Sequence, residues 1–233
     1  MNKKNKNLQA IIEVAIFAAI AVALDMIQGG LFKGVFTSGG SIGLAMLPIL
    51  VVSYRRGLGW GVLCGFIVSV LQMLSGIYAI QAANMPNDFL KACGPFLQVM
   101  LDYVLAYTVV GFAGAFSRMF KNGKTKGVKI LAVILGCVLG GLLKYFCHVI
   151  SGVVFWLNQG ASWWGVGDST AIYSWLYNGA YCIPNMVLCT IIMVIFAIFY
   201  EFILIPQDKV EKAQKSIKDD AMNAEASEVK GNE

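Results

Sequence analysis

Residues 128–156 read Val-Lys-Ile-Leu-Ala-Val-Ile-Leu-Gly-Cys-Val-Leu-Gly-Gly-Leu-Leu-Lys-Tyr-Phe-Cys-His-Val-Ile-Ser-Gly-Val-Val-Phe-Trp, an apolar run interrupted by Lys129 at its start and by Lys144 and His148 towards its end. At about 1.5 Å per residue, a helix of this length crosses the roughly 30 Å of hydrocarbon in a bilayer. A membrane strand would be about ten residues long and would alternate polar with apolar positions. This run is apolar all round, so it is predicted to be a transmembrane helix. Its chargeable groups are costly at membrane depth; such groups face a bundle interior or a cavity and serve a ligand, an ion or a relay.

The same pattern recurs outward from this run. Of 233 residues, 58% are hydrophobic and 13% charged, more apolar surface than a soluble domain can hide. Stretches at 8–28, 41–54, 58–78, 96–117, 128–156 and 171–205 predict six transmembrane helices in a single all-α bundle spanning residues 1–206. The second is short. Residues 207–233 are polar, mix Lys with Glu and Asp and lack aromatic side chains, which predicts a solvated, partly disordered cytoplasmic tail.

Lys and Arg lie before the first span, between the second and third, between the fourth and fifth, and in the tail; only Lys33, Lys91 and Lys144 fall elsewhere. The positive-inside rule then places both termini in the cytoplasm of a multi-pass plasma-membrane protein. This topology accounts for the net charge of +5, and nothing is left to suggest a nucleic-acid partner. The basic N-terminus and the apolar stretch after it have the look of a signal peptide. That stretch exceeds an ordinary h-region and further spans follow, so an uncleaved first helix is expected.

The six Cys lie mostly within spans and have no CxxC spacing; they read as small apolar residues, not as a disulfide frame or metal site. No phosphate-binding loop, HExxH or GxSxG pattern is present. No enzyme activity, cofactor or ATP hydrolysis by the chain itself is expected. Two matching halves are not visible, which argues against an inverted-repeat transporter. Any driven uptake then requires a partner.

The candidate site lies in the outer halves of the last three spans. Span four enters from outside, so Asp102 and Tyr103 sit about two turns below the surface. Span five runs outward, bringing Lys144, His148, Ser151 and Trp156 to the same depth, the first three on one helix face by their i, i+4, i+7 spacing. Span six opens with Tyr173, Trp175, Tyr177 and Asn178. Each has a plainer reading: His148 as a packing residue, Asp102 and Lys144 as a structural ion pair, Trp156 as an interfacial belt residue. Aromatic faces beside a carboxylate suit a flat organic cation. The Gly-rich link 29–40 with Phe32 and Phe36, the link 79–95, and the link 157–170 with Trp163 and Trp164 are candidates for a lid. Ala15, Ala19 and Ala23 repeat every four residues on span one, a strip that suits either internal packing or the docking of another helix.

Three blocks carry a resemblance: Leu-Asp-Tyr-Val-Leu-Ala-Tyr-Thr-Val-Val-Gly-Phe-Ala-Gly (101–114), Lys-Tyr-Phe-Cys-His-Val-Ile-Ser-Gly-Val-Val-Phe-Trp (144–156) and Tyr-Ser-Trp-Leu-Tyr-Asn-Gly (173–179). The chain resembles the thiamine-specific substrate-binding subunits, or S components, of energy-coupling-factor vitamin transporters. The resemblance implies a six-helix protein that binds thiamine near the outer surface and associates with a transmembrane coupling subunit and two ATPase subunits. It implies a pocket built by Asp102, Tyr103, His148, Trp156, Tyr173 and Asn178, and docking through Ala15, Ala19 and Ala23. The family's acid can be Glu, and some members carry Trp in the first external loop where this chain has Phe32 and Phe36. Two other readings remain: an S component for another flat heterocyclic vitamin or a thiamine precursor, and a membrane scaffold subunit with no small ligand.

Overall fold

The computed structural model describes residues 3–32, 35–36, 39–156, 162–163, 165–167 and 171–206. The main helices among the described residues are α1 (Lys3–Leu31), α2 (Leu47–Arg56), α3 (Leu58–Ser75), α4 (Asp88–Asn122), α5 (Lys126–Phe155), α6 (Ala171–Phe199) and the single turn α7 (Glu201–Leu204). A two-residue strand pair, Ser162–Trp163 with Val166–Gly167, turns at Gly165 between α5 and α6. Four helices are long and apolar enough to cross a membrane, within α1, α4, α5 and α6, and α3 is a shorter apolar helix. Large apolar side chains such as Ile11, Ile16, Phe66, Leu131, Ile150 and Ile191 are exposed around the bundle, as lipid-facing positions are.

Three expected spans change their boundaries. In the stretch 41–54 the helix, α2, is shorter than expected: it has ten residues, about 15 Å at the helical rise. Pro48 near its start is tolerated because the first helical N–H groups have no intrahelical acceptor, and Gly57, with φ +94°, closes it and turns the chain into α3. Residues 48–55 of α2 are buried all round, the mark of a core helix. The fourth span begins at Asp88 instead of 96, because the Asn87 side chain accepts a hydrogen bond from the Leu90 amide at 2.9 Å and caps the helix. The expected link 79–95 is correspondingly shorter. At the other end, α6 stops at Phe199, and Tyr200 separates it from α7.

α4 changes its winding along its length. It is α-helical to Val99, a π-helix over Met100–Leu105, then tightens to a 3-10 helix over Val109–Phe116. The tight segment is wedged between glycines. A Cβ built on Gly111 would lie 2.2 Å from the Val62 nitrogen, and one on Gly65 would lie 2.2 Å from the Tyr107 carbonyl oxygen. Gly61 and Gly65, four apart on α3, therefore let the two backbones touch. On its other side, Gly140 of α5 is closed in by the Val110 carbonyl in the same way.

Charged residues tie one end of this bundle together. Glu13 of α1 pairs with both Arg55 and Arg56, each at 2.8 Å. Arg55 also donates to the carbonyls of Phe202 and Ile203, while Lys121 donates to the Arg55 carbonyl. Lys129 meets Glu201 at 2.6 Å. These bonds draw α1, α2, α4, α5 and α7 to the same end.

Replacing Gly111 by Ala is expected to lower stability by about 2 kcal/mol, the cost of forcing bulk into a full interface. Gly59→Ala, where a Cβ meets nothing within 4 Å, should be neutral; thermal melting of the two variants in detergent measures the difference.

Candidate functional site

At the end opposite the basic cluster, the helices enclose a cavity of about 670 Å³, within the size range of small-molecule sites. Asp102, Tyr103, Lys144, His148, Trp156, Tyr173 and Asn178 all line it, as does Tyr177. Ser151 does not: it is fully buried in the helix interface behind the wall. Trp175 turns away to pack on Tyr145 and Phe146 and is 44% exposed.

The π-helical stretch positions the acid. Its wider turn brings Gln98, Asp102, Tyr103 and Tyr107 to one cavity, and such insertions recur at functional sites because they re-aim side chains. Asp102 is gripped from three sides. Gln98 Nε2 donates to its Oδ2 at 2.7 Å, the Trp156 indole Nε1 donates to the same oxygen at 3.2 Å, and His148 Nδ1 lies 3.3 Å from Oδ1. Trp156 is thus held through its ring nitrogen by an interior side chain, which sets it apart from a belt residue. His148 likewise faces the acid and stands 5.7 Å from the Tyr181 ring, edge to face.

The ion pair that is the plainer reading of Asp102 and Lys144 does not form. Asp102 is satisfied by the groups just named. Lys144, only 5% exposed, places its Nζ 3.8 Å from the centre of the Tyr107 ring. The Tyr107 hydroxyl in turn donates to Asp25 Oδ1 at 3.2 Å. Charge therefore gathers at two points, Asp102 on one and the Lys144–Tyr107–Asp25 group on the other.

Aromatic rings furnish the walls. Tyr78 stacks on Trp156 with ring centres 5.4 Å apart and an interplanar angle of 7°. The loop carrying Tyr78 is tied to α4 at both its backbone groups, since its N–H donates to the Tyr103 hydroxyl at 2.8 Å and its carbonyl accepts from Gln98 at 3.3 Å. Tyr173 and Tyr177 stack at 5.4 Å and 18°. Phe36 packs edge-on against Tyr177 and Tyr181 and is 7% exposed, so it backs two rings of the wall. Asn178 braces two helices: Nδ2 donates to the His148 and Ser174 carbonyls, and Oδ1 accepts from Tyr181 at 2.6 Å.

Side chains also clamp the segment that precedes α2. Asn185 accepts from the Gly43 amide and donates to the Ser41 carbonyl. Gln28 accepts from the Ala45 amide and donates to the Ser41 hydroxyl. Gly40, at φ +105°, lies against the Tyr181 ring, where a Cβ would come within 2.6 Å. Of the expected lid elements, Lys33, Gly34, Thr37, Ser38, residues 157–161, Trp164 and residues 168–170 lie outside the described residues, as does the tail from 207.

Comparison with known proteins follows from this geometry. A sequence profile of the family described as "Thiamine transporter protein (Thia_YuaJ)" matches residues 11–204. The chain belongs to this family. It is 35% identical over 193 residues to "Thiamine transporter ThiT" of Bacillus subtilis (strain 168), covering 82% of this chain and 91% of that one. A second "Thiamine transporter ThiT", from Lacticaseibacillus paracasei, is 29% identical over 197 residues, covering 82% and 88%. A solved structure of ThiT from Listeria monocytogenes superposes with a TM-score of 0.69 at 29% identity, covering 86% of this chain and all of that one. These relatives are transporters and not enzymes, and the chain is a multi-pass protein of the cell membrane.

Within this thiamine transporter family member, several wall residues are absent from the sequence expectation: Asp25, Gln72, Tyr78, Gln98, Tyr107 and Tyr181. Asp25 had a signal. It lies within the stretch 8–28, where an ionisable group is as costly as at Asp102. Tyr78 and Gln98 had none, since both depend on how the loop after α3 folds back on α4. No group of three or more His, Cys, Asp or Glu able to hold a metal ion is assembled among the described residues.

Asn185→Ala removes both bonds to the 41–43 backbone and is expected to cost about 1–3 kcal/mol. Limited proteolysis should then cut within 39–46 while wild-type protein resists.

Proposed function

We propose that this chain is the thiamine-binding S component of an energy-coupling-factor uptake system in the plasma membrane. In this reading six segments cross or enter the bilayer, both termini are cytoplasmic, and the cavity opens to the exterior. The basic cluster at the other end supports that orientation, since Lys and Arg concentrate on cytoplasmic faces. The observation that carries the ligand assignment is one cavity, in a chain of the thiamine transporter family, holding a carboxylate between two aromatic stacks.

Thiamine is a flat, singly charged cation with an aminopyrimidine, a thiazolium and a hydroxyethyl arm. A desolvated cation on an aromatic face contributes about 2 kcal/mol, and a hydrogen bond to a charged group roughly 1.5–3 kcal/mol. Several such contacts in a cavity already shaped by Asn178, Gln28 and Asn185 are sufficient for nanomolar affinity, about −12 kcal/mol. Asp102 opposes the positive charge or bonds the pyrimidine. His148, Trp156 and Tyr103 contact the rings, and Tyr173 and Asn178 set orientation. Lys144 serves the polar end of the ligand. Ser151 supports the site from behind. The Gln98 Oε1, buried and without a partner among the described residues, is an acceptor to which an exocyclic amine can donate.

The chain contains no nucleotide-hydrolysing motif, so the energy comes from a transmembrane coupling subunit and two ATPases. Ala15, Ala19 and Ala23 are exposed on the outer face of α1, whereas Val14, Ala18 and Ala21 are buried. A strip of small side chains turned outward lets a partner helix approach closely.

Thiamine added to purified protein should quench tryptophan fluorescence at nanomolar concentration and raise the melting temperature, as RT ln(1 + [L]/Kd) requires. Trp156→Ala and Asp102→Asn should each weaken binding at least tenfold; wild-type affinity in both would refute the site. Ala19→Trp should leave the titration unchanged and abolish co-purification with the coupling subunit.

A further inference from the structure

The second charged point has a chemistry of its own. Two carboxylates and one ammonium face a single cavity: Asp102, Asp25 and Lys144. Lys144 is 5% exposed and has no contact ion pair among the described residues. A buried ammonium without compensation is strongly unfavourable. Compensation here runs through one ring, with the ammonium 3.8 Å above the Tyr107 face and the Tyr107 hydroxyl donating to Asp25 Oδ1 at 3.2 Å. Gln28 Nε2 adds a second donor to the same Asp25 oxygen at 3.1 Å, fixing the carboxylate at the cavity wall. Beside them Gln72, 7% exposed, lines the cavity with an Oε1 that has no partner among the described residues. This end of the cavity is thus built of acceptors around one cation.

We propose that Asp25 sets specificity, offsetting the charge of Lys144 so that the cavity binds the thiamine cation more tightly than its phosphate ester. This rests on the reading above that thiamine is the ligand. The lining presents two carboxylates, Asp102 and Asp25, against the one ammonium of Lys144, an arrangement matched to a single organic cation. A phosphate ester adds roughly −1.5 to −2 at neutral pH. The anchor for that phosphate is the Lys144 ammonium, and Asp25 lies across the Tyr107 ring from it. In a poorly solvated cavity the resulting repulsion is only weakly screened. Take Asp25 away and Lys144 becomes an uncompensated cation facing the ligand, a phosphate site in its own right.

The test compares dissociation constants for thiamine and thiamine monophosphate, measured by tryptophan fluorescence on the full chain in detergent. Asp25→Asn is expected to lower the monophosphate-to-thiamine Kd ratio at least tenfold. The double variant Asp25→Asn with Lys144→Met restores the original net charge of the lining and should return the ratio to near its wild-type value. Lys144→Met alone leaves two carboxylates unopposed and should raise the ratio tenfold or more; it decides the matter if Asp25→Asn fails to fold. Smaller changes, with wild-type thiamine binding intact, overturn the role of Asp25 and leave the transporter reading standing. Wild-type protein that binds no thiamine at micromolar concentration removes that reading and this inference together.

Discussion

A carboxyl group placed inside an apolar layer must be surrounded by donors, and the way Asp102 meets that demand shapes the cavity end of this molecule. Its three partners come from the preceding turn of its own helix, from a ring on α5 and from the indole that closes α5. Satisfying Asp102 therefore fixes the distance between α4 and α5. It also orients Trp156, and through Trp156 the stacked Tyr78 and its loop. The local widening of α4 at Met100–Leu105 makes this geometry possible, because an ordinary α-helix would not turn Gln98, Asp102, Tyr103 and Tyr107 to one side.

Much of this was legible beforehand, and the reasons differ by element. Long apolar runs with chargeable interruptions identify α1, α4, α5 and α6, because hydrocarbon leaves the backbone no other way to satisfy itself. Asp102, Tyr103, Lys144, His148, Trp156, Tyr173 and Asn178 could be grouped because consecutive spans run in opposite directions and put them at one depth. Hydropathy does not report contact. It could not separate a lipid-spanning run from the buried ten-residue α2, since both are apolar all round. Nor could it show that Lys144 looks to Tyr107 and Asp25 and not to Asp102, because that choice depends on the π-turn in α4, for which Met-Leu-Asp-Tyr-Val-Leu carries no glycine or proline marker.

The two halves of the bundle are held by different means. At the basic end, glycine-lined backbones touch directly, and Glu13 with its two arginines ties the helix ends. At the cavity end, side chains reach across to backbone: Gln28, Asn185, Tyr177 and Gln98. Packing against backbone leaves no adjustable atoms, whereas a side-chain bridge is released by rotation about a few bonds.

The truncated α2 bears on how such a hollow arises at all. A bundle of full-length helices fills its own interior, and opening a void of several hundred cubic ångströms in it would sacrifice dispersion contacts on every side. Here one member, α2, has only ten residues, and irregular backbone at 39–46 precedes it, with Gly39, Gly40 and Ser41 lining the cavity. The vacancy is a product of connectivity, obtained without carving side chains out of a packed core.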